Sequence, residues 1–470
     1  MSNKNTATWS ELLWGRNGLR SLALAGGVAV HAVNVYIATT ILPSVVKDIG
    51  GLEYYAWNTT LFVAASILGS ALSPKIMGAL DLTRAFLVAL AIFVVGTAGC
   101  ALAPSMPWLL VGRSVQGLGG GLLLGLSYSA VRMVFEERLW SLAMGFVSSM
   151  WGVATLAGPA IGGIFAQTGH WRMAFWSVLP VAGLLAWLVV TQLGGTQQTS
   201  ATRVATPMGR IVLLIISVLV VSTGSLSQQL GWNALGIAVG LAMAVAVAYV
   251  DNRSAIRLLP TGGYSIAVGM GSMYACIALL SMGVTTEIFV PYFLQVIHGN
   301  SPLAAGYLTA LMSVGWTTGS LASAGRSPAA VDRLIQAGPI VSAISLAALA
   351  VTIPMGDTAL GNGVQWWLNL PLVGVGIGVG ICWPHILTRV FKSAPKGEEN
   401  IASAAIITLQ LYAMAIAASV AGIVVNAAGL TTPGGLEGAR NAATALFIVF
   451  ACAPGLAAFL TGGVRRSQPA

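Results

Sequence analysis

Arg113 and Glu287 are the two strongly ionisable side chains that this 470-residue sequence sets at membrane depth within its long apolar runs. A charge at the centre of a lipid-spanning helix costs about 2.5–3.5 kcal/mol on insertion scales, so residues of this kind usually line an internal path or a relay. Arg113 stands five residues into its run and Glu287 seven residues before the end of its own. At ~1.5 Å per residue these offsets are about 7 Å and about 10 Å from the outer ends of the runs, with Asn34 about 16 Å down its own run. Desolvation disfavours the charged form of a carboxyl at such a depth. A carboxyl that exchanges between its two forms can take up a proton on one side and release it on the other, as proton coupling requires. His31, one helical turn before Asn34, is a second candidate for proton exchange, because imidazole ordinarily titrates near neutrality. The competing reading gives these groups only packing roles, as a buried pair or carbonyl-bound side chains that lock helices together.

Helices must position these residues. Apolar, aromatic and Cys residues make up 56% of the chain and charged residues only 7%, with 57 glycines and a mean hydropathy of +0.85. A soluble chain carries about 25% charge, far more than is present here. The expectation is an all-α polytopic membrane protein. About fourteen runs of 18 or more apolar residues are read. The first six span Ser21–Val45, Ala56–Leu80, Ala85–Ala103, Trp108–Val134, Leu139–Ala166 and Arg172–Leu193. An inserted pair covers Met208–Leu226 and Trp232–Val250, and the last six cover Tyr264–Leu294, Leu303–Ala324, Leu334–Met355, Trp366–Val390, Ile401–Ala428 and Asn441–Gly463. The division expected is a cytoplasmic segment 1–20, a six-helix half 21–195, the inserted pair with its linkers 196–260, a second half 261–463 and a cytoplasmic tail 464–470. The start of the chain is too polar for a cleaved signal peptide and suits either a surface amphipathic helix or disorder. The four cysteines are isolated, so neither a disulfide framework nor a metal cluster is expected.

The positive-inside rule tests the count. With the N-terminus cytoplasmic, 18 of the 22 Lys and Arg residues fall in cytoplasmic loops and three, Lys47, Arg172 and Arg440, fall outside, with Arg113 within a span. A miscounted span would mix the two sets in every later loop. The net charge of +9 is therefore read as a signal of orientation toward an anionic inner leaflet and not as a nucleic-acid groove. Both termini are expected in the cytoplasm.

The fourth run reads LLVGRSVQGLGGGLLLG, with Arg113, Gln116, Gly117 and a row of glycines, and the fifth reads WGVATLAGPAIGGIFAQTGHWRMAFW, with Gly158, Pro159, Gly162 and Gly163. Glycine rows give flat faces for close helix contact, and Pro159 bends its helix while freeing backbone groups. These strings resemble motifs B and C of the drug:proton antiporters of the major facilitator superfamily, motif C being the pattern associated with export. The 6 + 2 + 6 arrangement resembles the fourteen-span branch that includes quaternary-ammonium and tetracycline efflux pumps. The resemblance covers nearly the whole chain. It implies a major facilitator fold in which the first, fourth, seventh and tenth spans line a cavity reached alternately from each face. It further implies a multi-pass protein of the plasma membrane (the bacterial inner membrane), with the proton gradient as energy source and no cofactor. Pro43 and Pro291 are expected to end the first and seventh spans in matching fashion.

Two departures stand out. The acid usual in the first span of this branch aligns with Asn34, which cannot titrate, so coupling falls to Glu287, with His31 as a possible helper. The loop after the second span, SPKIMGALDLTRAFL, keeps Asp81 and Arg84 but lacks the following Gly-Arg step. Asp81 either caps the next helix or forms a gating lock with another loop. Candidate substrate contacts are Asn34, Tyr36, Arg113, Gln116, Tyr128, Tyr292, Trp383, Gln410 and Tyr412, each of which has packing as its competing role. One acid suits a monovalent organic cation or an uncharged amphiphile, and Arg113 leaves room for an anionic metabolite or siderophore-like cargo. The expected partners are a small-molecule substrate, protons and membrane lipid, with a monomeric state and no nucleic acid. Three classes are in play: a proton-coupled exporter, a facilitator or proton symporter with inward flux, and a non-transport membrane protein. No nucleotide loop, metal-spaced His cluster or Ser/His/Asp set supports an enzyme. The inserted pair is expected to fill lipid-exposed space.

Overall fold

The computed structural model describes residues 8–194, 207–227, 229–267, 269–355 and 364–466. The first seven residues with Lys4, the stretch 195–206 of the expected linker with Arg203, and residues 467–470 of the expected tail lie outside the described residues. Regular structure among the described residues is helical. A short α1 (Trp9–Leu13) precedes α2 (Gly15–Ile49), α3 (Trp57–Ala79), α4 (Leu82–Ala101), α5 (Met106–Val134), α6 (Trp140–Gln167), α7 (Trp171–Trp176) and α8 (Val178–Gln192). There follow α9 (Met208–Gly224), α10 (Leu230–Asn252), α11 (Gly269–Val284), α12 (Val290–Val296), α13 (Pro302–Ser323), α14 (Pro328–Met355), α15 (Val364–Ser393), α16 (Glu399–Ala427) and α17 (Gly435–Arg466). All fourteen expected runs are helical, and twelve helical segments are long and apolar enough to cross a membrane. The other two runs are α9, which at 17 residues is about 26 Å long, and α13, whose apolar character is diluted by Thr, Ser and Gly.

Proline placement explains where helices differ from the apolar runs. The sixth run divides at Ser177, four residues after Met173 and just before Pro180, whose missing N–H and ring deny a helical bond to Trp176. The seventh run divides likewise. α11 starts only at Gly269, a 3-10 turn covers Thr285–Ile288, and Pro291 opens α12. The hydroxyls of Thr285 and Thr286 turn back onto the carbonyls of Ser281 and Gly283 at 2.8 and 2.9 Å, a local competitor to helical pairing. The expectation that Pro43 and Pro291 end matching helices is overturned: Pro43 lies inside α2, which continues to Ile49, and Pro291 starts a helix.

The chain divides into two compact units, the described residues of 1–50 with 61–206, and those of 51–60 with 207–470. In the first, the glycine row of α5 admits two neighbours at backbone distance. A Cβ on Gly117 would lie 2.2 Å from the Phe62 carbonyl oxygen of α3, and one on Gly119 would lie 2.4 Å from the Phe93 nitrogen of α4. α6 meets α2 the same way, a Cβ on Gly158 falling 2.3 Å from the Cβ of Tyr36 and one on Gly162 3.1 Å from the Ile37 carbonyl oxygen. Gly163 is buried beside it, and Pro159 sits within α6. Asp81 takes the capping role, its carboxylate accepting from the Arg84 backbone N–H at 2.9 Å and pairing with the Arg84 side chain at 3.1 Å. In the second unit, α13 and α15 repeat the close approach, with a Cβ on Gly380 falling 2.2 Å from the Trp316 carbonyl. Arg389 of α15 pairs with Asp332 of α14 at 2.5 Å.

Candidate functional site

In the first unit, five helices bring polar and aromatic side chains to one buried cluster. α2 carries His31 and Asn34, α3 Phe62, α4 Thr97, α5 Arg113 and Gln116, and α6 Trp151. Arg113 is 1% exposed, and Asn34, Gln116 and Thr97 are 0% exposed. Arg113 Nη1 donates to Gln116 Oε1 at 2.6 Å. Gln116 Nε2 then donates to Asn34 Oδ1 at 2.9 Å and to Thr97 Oγ1 at 2.8 Å, while the Thr97 hydroxyl donates to the Phe93 carbonyl at 2.7 Å. The amide of Gln116 is thereby oriented, its oxygen toward the guanidinium and its nitrogen toward the two acceptors. The guanidinium lies 4.0 Å from the Phe62 ring centroid, a cation–π contact strengthened by exclusion of water. His31 stacks on Phe62 at 5.2 Å and meets the edge of Trp151 at 6.0 Å. Among the described residues, two polar atoms in this cluster have no hydrogen-bond partner, His31 Nδ1 and Asn34 Nδ2. The expected residues His31, Asn34, Arg113 and Gln116 are thus brought together, whereas Phe62 and Thr97, which complete the cluster, were not picked out by their types. Their signal is positional: each faces a glycine-lined side of α5.

In the second unit, Glu287 sits on the 3-10 turn between α11 and α12, half-buried, and the turn packs on α16 and α17. Among the described residues its carboxylate makes no hydrogen bond or ion pair. The following residues build an aromatic cluster: Phe289 stacks on Phe293 at 6.0 Å, Tyr292 meets Phe293 edge-on at 5.9 Å, and Phe293 meets Phe447 at 6.2 Å. Trp383 packs edge-on against Trp316 at 5.1 Å and is 8% exposed.

The other candidates scatter. Tyr36 is half-buried on α2 under Gly158, Tyr128 shares a hydrogen bond with Ser148 at 3.2 Å, and Gln410 is half-buried on α16. Tyr412 points its hydroxyl at Ser217 of α9 at 2.9 Å, which makes it a tie to the inserted pair.

Asp251 was missed. It follows the apolar run as read, but α10 extends to Asn252 and buries it completely. Its carboxylate pairs with Arg210 and accepts from the Leu258 N–H at 2.8 Å, the Leu259 N–H at 3.4 Å and the Tyr264 hydroxyl at 2.8 Å. Just beyond, Glu398 accepts from the N–H and hydroxyl of Thr261 at 2.6 and 2.7 Å, and these bonds hold its carboxyl below the usual glutamate range. A cavity of about 490 Å³ lies between α9 and α10 beside Thr223, Trp232 and Leu235, without a titratable residue in its lining.

Twelve helical segments long and apolar enough to cross a membrane, with glycine-lined contacts and a few buried polar groups, define a polytopic membrane protein among the described residues, and comparison with known proteins makes it a transporter. The Major Facilitator Superfamily profile matches residues 24–419. A protein of Mycobacterium tuberculosis named as a probable multidrug-efflux transporter is 36% identical over 466 residues, covering 97% of this chain and 96% of that protein. Multidrug resistance protein 3 of Bacillus subtilis is 24% identical over 370 residues, covering 76% of this chain and 70% of that protein. Among solved structures, a D-xylose–proton symporter superposes with a TM-score of 0.67 at 14% identity, over 97% of this chain and 100% of that one. The human organic anion transporter MFSD10 superposes with a TM-score of 0.61 at 16% identity, over 94% and 99% of the two chains. The chain belongs to the major facilitator superfamily. It is a multi-pass membrane transporter and not an enzyme.

Proposed function

We propose that this transporter is a proton-coupled exporter of small organic molecules, working by alternating access in the bacterial inner membrane. The reading includes the fourteen-span drug:proton branch of quaternary-ammonium and tetracycline type, a 6 + 2 + 6 arrangement with both termini cytoplasmic, and action as a monomer in lipid. The observation that carries it is Glu287: a carboxylate at an interruption of its helix, with no partner among the described residues. A structural acid in such a place would be paired, because an unpaired one is costly. A coupling acid must be able to change its protonation. His31 is its helper in this reading, and Tyr292, Trp383 and Gln410 are cargo contacts. Export is favoured by the multidrug names of its relatives and by the glycine face of α6 against Tyr36.

In liposomes with an imposed pH gradient, the parent should accumulate members of a panel of cationic, neutral and anionic compounds. Glu287→Gln should abolish gradient-driven accumulation and leave binding. Undiminished uphill flux in that variant removes Glu287 from the mechanism. A second reading, an anionic or neutral cargo, draws on the donor-rich cluster of Arg113, Gln116 and Asn34. The panel separates it from the first. Inward flux in the same vesicles would identify a facilitator or symporter instead.

A further inference from the structure

The chain approaches its first span through a bent lead-in, α1, which is five residues long and fixed on two sides. Thr8 caps it, the hydroxyl accepting from the Glu11 N–H at 3.4 Å. At Trp14 the backbone is extended (φ −110°, ψ 155°), Gly15 takes a left-handed φ of +64°, and α2 begins. This bend brings α1 against the first turns of α2. A Cβ on Gly18 would lie 2.2 Å from the Leu13 carbonyl oxygen, and the Ser21 hydroxyl donates to the Leu12 carbonyl at 3.1 Å. Asn17 Nδ2 donates to the Glu11 carbonyl at 3.2 Å, and Leu12 is buried. On another side of α1, the Glu11 carboxylate pairs at 2.5 Å with Arg138 from the connection between α5 and α6. All of these residues belong to the first unit.

The segment held in this way leaves an apolar and basic surface uncovered. Trp9 and Leu13, four residues apart and so on one face of α1, are 51% and 42% exposed, and Trp14 is 78% exposed. Leu19 and Leu22 continue the exposed apolar surface along α2. Glu11 is the single acid between Thr8 and Leu22 and Arg138 takes it up, which leaves Arg16 and Arg20 as the charge of the segment. Its depth follows from the length of α2. Asp48, paired with Arg172 at the far end, stands 33 residues after Gly15, or about 50 Å at ~1.5 Å per residue. A bilayer is about 30 Å thick in its hydrocarbon and about 40–45 Å with its headgroups. Even with a tilt of about 30°, α1 lies at headgroup level. Indoles favour that layer, and guanidinium groups there meet phosphates.

We propose that α1 and the first turns of α2 form a binding surface for anionic phospholipid, with Trp9, Leu13 and Trp14 seated at the acyl boundary and Arg16 and Arg20 on the headgroup phosphates. The headgroup layer supplies an apolar floor and negative charge at one depth, which matches both halves of the surface. On the orientation proposed above the leaflet is the inner one, but the contact does not depend on that orientation. Through Glu11 and Arg138, the lipid-held segment is tied to the connection that leads into α6.

The test uses the full chain in nanodiscs and hydrogen exchange of the amides from Trp9 to Leu13. A cation close to an anionic surface is worth about fivefold in a binding equilibrium, so two are worth roughly 25-fold. The parent amides should therefore exchange about 25-fold more slowly when phosphatidylglycerol replaces phosphatidylcholine. Arg16→Gln with Arg20→Gln should erase that difference, and Trp9→Ala with Trp14→Ala should speed exchange roughly tenfold in both lipids. Equal parent rates in the two lipids overturn the proposal, and this comparison needs no variant. Protection by phosphatidylglycerol that persists undiminished without both arginines overturns it too. Protection found only in discs loaded with two copies identifies a second copy of the chain as the occupant and overturns the lipid.

Discussion

Replacing Asp251 by asparagine should open one peptide bond to trypsin. The Asp251 carboxylate is 0% exposed and takes donors from Arg210, from the Leu258 and Leu259 backbone and from Tyr264. An asparagine side chain in that place would be the wrong shape electrically: the amide keeps one acceptor and turns an N–H group toward N–H donors. Breaking a buried charge pair costs about 3–5 kcal/mol. Arg210 keeps 18% of its side chain in contact with solvent, which argues for the lower end, about 3 kcal/mol. The loss falls on the segment between α10 and α11, because the N–H of Leu258 belongs to the bond that trypsin cuts after Arg257. If local opening is fast relative to cleavage, the rate follows the opening equilibrium. About 3 kcal/mol then means a rate rise of roughly 100-fold. Trypsin treatment of the purified protein and mass spectrometry of a fragment beginning at Leu258 give the measurement. Equal cleavage of parent and Asp251→Asn would refute the reasoning. Combining Arg210→Met with Asp251→Leu should leave the bond open as well, because the Leu258 and Leu259 N–H groups and the Tyr264 hydroxyl would still lack their acceptor.

Two further outcomes are expected. Gly117→Ala should sharply reduce the yield of monodisperse protein, since its Cβ meets the Phe62 backbone oxygen at 2.2 Å, while Gly152→Ala, with open space around it, should purify like the parent. Thr261 lowers the pKa of folded Glu398, so this clasp is at full strength above the ordinary glutamate range and is lost as pH falls through the lower folded value. Hydrogen exchange at the Thr261 amide should therefore lose protection at acid pH beyond the intrinsic rate, and Glu398→Gln should remove that pH dependence.

How far the sequence could be read differs from residue to residue. Arg113 and the glycine row of α5 announce themselves, because a charge or a bare backbone face within an apolar run has few explanations. Proline was harder. Pro180 and Pro291 interrupt helices while Pro43 does not, and hydropathy is blind to whether the carbonyl left without a donor finds support nearby. Asp251 was hidden for another reason: an apolar run ends at its first charge, and what buries this acid is Arg210, far back along the chain. Tyr412 shows the limit for α16, which is apolar on all sides, so that no periodicity says which face meets α9. The pairing of Asn34 with Gln116 and Thr97 joins three helices, and nothing local encodes it.

That pairing has a consequence for how this transporter can change. Gln116 offers its N–H to the Oδ1 of Asn34, and a carboxylate oxygen at the same spot would receive that hydrogen equally well. Asn34→Asp would thus install an anion within the existing wiring, in a cluster that already contains a guanidinium, without asking α4 or α5 to repack. The charge of this buried cluster is one side chain away from cancellation, and the helices that hold the slot are indifferent to which version fills it.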